Sequence, residues 1–248
     1  MIEIIGIGCR FPGGAHSPDT FWQFLKGQRT AIGEMPPDRW QAENFLSEAP
    51  DEPGRSCTFR AGWLDHIDRF DAAYFRLSPR EALEMDPQQR LTIEVAHEAL
   101  FDANINPQAL EDRRVGVYVG AGMAESLGLA FSDPEHMTAH TMSGNALAVI
   151  ANRLSYVLNL EGPSLAVDTA CSSALTALYL ACQSLSTGDC DLALVAGVNA
   201  MLGPSPFVGL SHAHMLSPRG KCSPFDEQAD GFVRGEGCGV VVLGRRDR

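Results

Sequence analysis

Short apolar runs alternate along the chain with segments whose apolar positions recur every three to four residues, a pattern that predicts strands alternating with helices. Ile2-Glu3-Ile4-Ile5-Gly6-Ile7-Gly8, Val115-Gly116-Val117-Tyr118-Val119-Gly120, the run ending at Val167, Asp191 to Val198, and Cys238 to Leu243 read as core strands. Ser17-Pro18-Asp19 places an N-cap, a proline at the first helical position and an early acid ahead of Phe21, Trp22, Phe24 and Leu25, with Gly27 as the stop. Asp86-Pro87-Gln88-Gln89 repeats that grammar before a helix through Leu91, Val95 and Ala99. Asn145 to Leu158 is predicted as one helix, with Val149, Ile150, Leu154 and Val157 on one side. Another runs from about Ser172 to Leu185 and ends near Gly188. Residues 121–140 and about 201–234 are weakly patterned and predict surface loops. The order implies an α/β fold with a mostly parallel sheet and helices on both faces.

One segment breaks the alternation. Thr30 to about Pro79 is rich in Pro, Gly and Asp, yet it carries Trp40, Phe45, Phe59, Trp63, Phe70, Tyr74 and Phe75. That many aromatics predict a structured excursion rather than a disordered linker. Gly6-x-Gly8 invites a dinucleotide-binding reading, but Phe11 holds the third fingerprint position and Pro12 follows where a helix would open.

Composition narrows the classes. A chain of 248 residues, 45% hydrophobic and 20% charged, is long enough for a substantial core. The net charge of -12 argues against a nucleic-acid binder and against recruitment to anionic lipid. No apolar stretch approaches a membrane span, and Met1-Ile2-Glu3-Ile4-Ile5-Gly6 lacks a secretory n-region and h-region. The seven cysteines, 9, 57, 171, 182, 190, 222 and 238, form no Cys-x-x-Cys pair. An odd, scattered set predicts free thiols in a reducing, cytoplasmic compartment and no structural zinc.

Candidate chemistry centres on Ala166-Val167-Asp168-Thr169-Ala170-Cys171-Ser172-Ser173-Ala174-Leu175. A strand ends here and a helix begins, which puts Cys171 at a sharp turn beside the unpaired N–H groups of a helix start. Such a position favours a thiolate nucleophile, while the competing reading is a small buried hydrophobe. Thr169, Ala170 and Ser172 are expected to support the turn, and Asp168 to orient it through backbone hydrogen bonds rather than act as a base. Asp226, Arg234 and Glu236 read either as supporting ion pairs or hydrogen bonds, or as a solvated charge cluster. Of the histidines, none among 16, 66, 97, 136, 140, 212 and 214 is nominated strongly as a base. His97 reads as a packed or surface side chain, His136 and His140 as weak acid–base candidates, and His212-x-His214 as a metal pair without a third ligand. An activated thiol with no proton handler in hand points to acyl transfer.

At Asp168-Thr169-Ala170-Cys171-Ser172-Ser173 the chain resembles the ketosynthase (beta-ketoacyl synthase) domain of modular type I polyketide synthases. Further matching motifs follow in the family's order. They include Gly6-Ile7-Gly8-Cys9-Arg10-Phe11-Pro12-Gly13-Gly14, Ile67-Asp68-Arg69-Phe70-Asp71, Ser78-Pro79-Arg80-Glu81-Ala82 and Met85-Asp86-Pro87-Gln88-Gln89-Arg90. Others are Gly162-Pro163-Ser164, Met215-Leu216-Ser217-Pro218 and Ala229-Asp230-Gly231-Phe232-Val233-Arg234-Gly235-Glu236-Gly237. The resemblance implies a thiolase-like fold, of which residues 1–248 are the N-terminal βαβαβαββ half, with a five-stranded sheet, long inserted loops and the excursion at about 30–79. It implies that Cys171 takes an acyl chain as a thioester from the phosphopantetheine arm of an acyl carrier protein. Decarboxylative Claisen condensation with malonyl- or methylmalonyl-carrier protein would follow. No cofactor or metal is expected in the domain itself. Expected partners are the carrier protein, a second copy in a homodimer, and neighbouring synthase domains such as an acyltransferase.

Departures from the family pattern matter as much. The two catalytic histidines and supporting lysine of such enzymes lie in motifs similar to Glu-Ala-His-Gly-Thr and Asn-x-Gly-His, and this sequence contains neither. The second half of the fold is therefore expected to be absent, and condensation by this chain alone is not expected. Gly244-Arg245-Arg246-Asp247-Arg248 follows directly on the last strand, which reads as a truncation. Ala174 stands where many relatives carry serine. A silent fragment needing a complementary half, or a fatty-acid-synthase or thiolase-type enzyme, are the alternative readings.

Overall fold

The computed structural model describes residues 1–49, 52–110, 113–133, 135 and 137–246. Its elements are β1 (Ile2–Arg10), α1 (Pro18–Lys26), β2 (Ile32–Gly33), β3 (Ala61–Gly62), α2 (Pro79–Glu84), α3 (Pro87–Asp102), β4 (Val115–Gly120) and α4 (Glu125–Phe131). They continue with α5 (Thr141–Asn145), α6 (Val149–Val157), β5 (Ser164–Val167), α7 (Ser173–Thr187), β6 (Leu192–Asn199), α8 (Ser205–His212) and β7 (Gly237–Arg245). Short 3-10 turns occupy Ala42–Asn44 and Pro107–Leu110.

Helix starts follow local chemistry. Ser17 and Thr20 form a capping box at α1, Ser78 Oγ accepts the Glu81 N–H at α2, and Asp86 accepts the Gln88 N–H at α3. Each of the three has proline in its first turn, where no N–H is needed. Several helices and turns end on a non-glycine residue in the left-handed region, among them Asn104, Asn159 and His214. The following N–H reaches back to a carbonyl five residues earlier, as Ile105 does to Leu100 and Leu160 to Ser155.

Five strands form one sheet in the order β1-β7-β6-β4-β5. β4 pairs in parallel with β5 and β6, whereas β7 pairs antiparallel with both β6 and β1. The expected mostly parallel sheet is thus a mixed one. Four strands share a direction and β7 alone runs against them, because the long connection after β6 returns the chain from the same end of the sheet rather than crossing it. β4 is buried along its whole length, as a strand covered on both faces must be.

α3 lies on one face, against β1 and β7. Gly6 and Gly8 let it approach: a Cβ at either position would lie 2.3 or 2.4 Å from the Ala99 or Val95 carbonyl oxygen. The Gly-x-Gly pair therefore serves helix–strand packing. α6 completes this face, with Ile150, Ala151 and Leu154 in the main core. α7 covers β4 and β6 on the opposite face, through Ala177, Ala181 and Leu185.

Three predicted elements are corrected. The helix expected over 145–158 forms as α6 but begins only at Val149, because Ala146 adopts an extended conformation (ψ 127°) after the separate short α5, which ends at Asn145. There Gly144 passes so near Glu84 that a Cβ would lie 2.1 Å from its carbonyl oxygen. The expected loops at 121–140 and 201–234 contain α4 and α8, short helices without a long apolar stripe, of which α8 buries Phe207 and Ser211 and α4 buries no residue. Within the Pro-rich excursion, Trp40, Phe59 and Trp63 pack with Phe207 of α8, while Tyr74 and Phe75 pack on His97 of α3. No helix among the described residues is long and apolar enough to cross a membrane.

Candidate active site at the end of β5

The chain leaves β5 at Val167 and enters α7 at Ser173, so five residues must turn the backbone over the end of the sheet. Ala170 takes a left-handed conformation (φ 57°), unfavourable for a residue with a Cβ by about 1–2 kcal/mol. The turn is held by its own polar groups. Asp168 Oδ1 accepts the Ala170 N–H at 3.0 Å. Ser173 Oγ accepts the Thr169 N–H at 2.9 Å and donates to the Ala170 carbonyl at 2.6 Å. Ser172 Oγ donates to the Thr169 carbonyl at 2.9 Å and lies 2.8 Å from Thr169 Oγ1, which in turn meets Thr176 Oγ1 at 3.0 Å. The Ser172 side chain therefore does not cap α7. Ser173 and Thr176 were not legible as turn residues, because serine and threonine in a helix's first turns are ordinary.

α7 begins close to the sheet. Gly120 of β4 and Gly197 of β6 are directly paired, and both lie under Ala174. A Cβ at 120 would sit 2.4 Å from the Ala174 nitrogen, and one at 197 would sit 2.8 Å from the Ala174 Cβ. Two glycines side by side make the shelf that the start of α7 occupies.

Cys171 tops this turn and is exposed. The burial alternative is thereby excluded for this sulfur. All seven cysteines are unpaired, but Cys9, Cys190 and Cys238 are buried. Burial raises the Cys9 thiol and pushes Cys238 up to about 12, so neither supplies thiolate near neutrality. Cys222, the other exposed thiol, sits in the loop before β7 with no helix start beside it.

The three charged residues read as one cluster from sequence each take a different partner. Glu236 is buried and pairs with Arg39 through both oxygens (3.0 and 2.8 Å), also accepting the Leu64 and Met201 N–H groups. Burial pushes its carboxyl up, against the lowering by Arg39 and the two amides. Every partner is an N–H donor, so the ionised form fits the site. Arg234 pairs instead with Glu125 and lies over the Phe207 ring. Asp226 is exposed and accepts the Gln228 N–H within its own loop. Arg39 and Glu125 gave no sequence signal, since a lone charge in a loop or at a helix start reads as solvated.

The histidines divide as well. His97 packs among Tyr74, Phe75 and Phe101, with its Nε2 3.0 Å from the Tyr74 hydroxyl, and burial lowers it. His140 contributes backbone bonds at the start of α5, His212 ends α8, and His214 occupies the left-handed position after it. His136 lies outside the described residues. Among the described residues no group of three or more His, Cys, Asp or Glu side chains could hold a metal ion.

An exposed thiol on a strained, internally bonded strand-to-helix turn is within reach of an electrophilic carbon brought to it from solvent. Comparisons with known proteins bear on which acyl chemistry this is. Residues 1–248 match the family described as beta-ketoacyl synthase, N-terminal domain. One component protein of the phenolphthiocerol/phthiocerol polyketide synthase of Mycobacterium tuberculosis is 50% identical over 247 residues, which cover 98% of this chain and 13% of the relative. A second component of that synthase is 48% identical, covering 98% and 16%. Among solved structures, the oxazolomycin ketosynthase domain of Streptomyces albus JA3453 superposes with a TM-score of 0.91 at 37% identity, covering 99% of this chain and 43% of that one. The ketosynthase from module 6 of the Bacillus subtilis 168 bacillaene synthase gives 0.85 at 37% identity, covering 98% and 40%.

Proposed function

The chain belongs to the beta-ketoacyl synthase family, with polyketide synthase ketosynthase domains as its relatives, and from that premise we propose that Cys171 is the acyl-accepting nucleophile of decarboxylative chain extension. The observation that carries this is the exposed sulfur on the Ala170 turn, immediately ahead of α7.

In the proposed reaction the Cys171 thiolate attacks the thioester carbon of an acyl group carried on the phosphopantetheine arm of an acyl carrier protein. The carrier thiolate leaves and takes up the proton given up by the cysteine. The backbone N–H of Cys171 offsets the transient oxyanion. A malonyl- or methylmalonyl-carrier protein then loses carbon dioxide, and the resulting enolate carbon attacks the Cys171 thioester. The cysteine departs as thiolate, leaving a 3-ketoacyl chain on the carrier, extended by two backbone carbons. No residue of this chain is assigned to decarboxylation. Asp168, Thr169, Ala170 and Ser172 are proposed to hold the turn in shape, and Arg234 and Glu236 to stiffen the sheet end beside it.

Since the chain spans 13–16% of the curated relatives and about two-fifths of the solved ketosynthases, extension itself is proposed for the longer protein. An acyltransferase neighbour is supported by the much greater length of the curated relatives, and a homodimer and a cytoplasmic location complete the proposal. Replacing Cys171 by alanine in the synthase that carries this chain tests it. Ketide extension at this domain is expected to stop while loading of the carrier proteins persists. Extension that survives the replacement contradicts the proposal.

A further inference from the structure

Two buried glutamates converge on one stretch of backbone at the end of the sheet that carries Cys171. Glu125, the first residue of α4, accepts the Leu202 and Gly203 N–H groups through Oε2 (2.8 and 3.0 Å) and Arg234 Nη2 through Oε1 (3.0 Å). Glu236 accepts the preceding N–H, that of Met201, at 2.9 Å. Three consecutive amides of the chain leaving β6 are therefore fixed by two anions, each neutralised by its own arginine. The Glu125 and Arg234 side chains are only 6% and 8% exposed.

The other flank of Glu125 leads to the nucleophile. The chain leaving β4 is tied to the end of β5 where Ala121 N–H donates to the Val167 carbonyl at 3.2 Å, next to Asp168, whose Oδ1 holds Ala170. Gln88 Nε2 grips the Met123 carbonyl at 3.2 Å, and Ser126 bonds Asp86. Segment 121–126 is thus pinned between the Cys171 turn and the exit of β6. A buried ion pair adds little net stability over an apolar pair of similar volume, so this one is better accounted for by the geometry it imposes.

We propose that Glu125 is a positioning residue of the Cys171 site, a role that rests on Cys171 accepting the acyl group. By tying the chain leaving β4 to the chain leaving β6, it sets the wall along which an acyl thioester approaches the sulfur. Displacement of that wall by about 1 Å slows the acylation step up to a hundredfold without changing the thiol itself.

The test follows acylation of Cys171 by intact-mass measurement, using a short-chain acyl N-acetylcysteamine thioester, beside alkylation by iodoacetamide, a reagent too small to need the wall. In E125Q the acylation rate constant at saturating thioester is expected to fall about tenfold, with the half-saturating concentration within twofold and iodoacetamide labelling unchanged. R234M is expected to match it, while R234K, which keeps the ion pair, stays within about threefold of the unsubstituted chain. Acylation of E125Q at the unsubstituted rate overturns the role of Glu125 alone. So does an equal loss of acylation and alkylation, which marks a merely structural residue. An unsubstituted chain that takes up no acyl mass, or takes it up equally in C171A, overturns the nucleophile and the positioning role together.

Discussion

A thiol does chemistry only where water and substrate reach its sulfur, and at the residue scale that criterion separates Cys171 from Cys9, Cys190 and Cys238. What puts Cys171 within reach is mostly the absence of side chains nearby. Gly120 and Gly197 leave room for Ala174, so α7 begins close to the strands and its preceding turn projects past them. Gly120→Ala forces a Cβ against the Ala174 backbone and is expected to destabilise the fold by about 2–3 kcal/mol in denaturant unfolding. Gly33→Ala, where a Cβ meets nothing within 4 Å, is expected to stay within about 0.5 kcal/mol. Equal effects at the two positions would contradict the shelf. The candidate sulfur was legible in sequence as one cysteine between an apolar run and a periodic helix, although a small buried hydrophobe fits that pattern too, and exposure separates the two readings. The glycine shelf was not, since it depends on pairing between β4 and β6, separated by more than seventy residues.

Helices were legible from a local start signal or from a long apolar period, as α7 was. Ser17-Pro18 and Asp86-Pro87 announce α1 and α3 because proline and a side-chain acceptor solve the helix-start problem locally. α4, α5 and α8 carry no side-chain cap and are short, so only tertiary contacts define them. The two buried ion pairs were invisible for the same reason: Arg39 and Glu236 are 197 residues apart. His97 gives α3 a pH dependence. Burial lowers it, so the folded state prefers the neutral ring. As pH falls through the ordinary histidine range near about 6.5, the unfolded chain takes up a proton that the folded chain resists, and stability is lost. The urea midpoint is expected to fall between pH 7 and pH 5, and His97→Phe is expected to flatten that fall. An unchanged slope in the variant would assign the loss to other groups.

Across the whole molecule, the sheet gathers its chemistry at one end. β4, β5 and β6 all finish where Cys171 stands, and β7 enters there, which brings Arg234 and Glu236 to the same end. Ligand sites of α/β sheets form outside the carboxyl ends of their strands, and the proposed nucleophile stands at that end. The family and the alternation of strands and helices were legible in the sequence, whereas the reversal of β7 was not. A strand's direction is set by the path of its connection, and the loop from 200 to 236 carries no pattern that reveals it. The central claim is that Cys171 carries the acyl group, and the most direct measurement is intact-mass analysis after incubation with an acyl carrier protein thioester. One acyl increment, mapped to Cys171 by peptide analysis and missing from C171A, is the expected result; an increment that persists in C171A, or none at all, contradicts it.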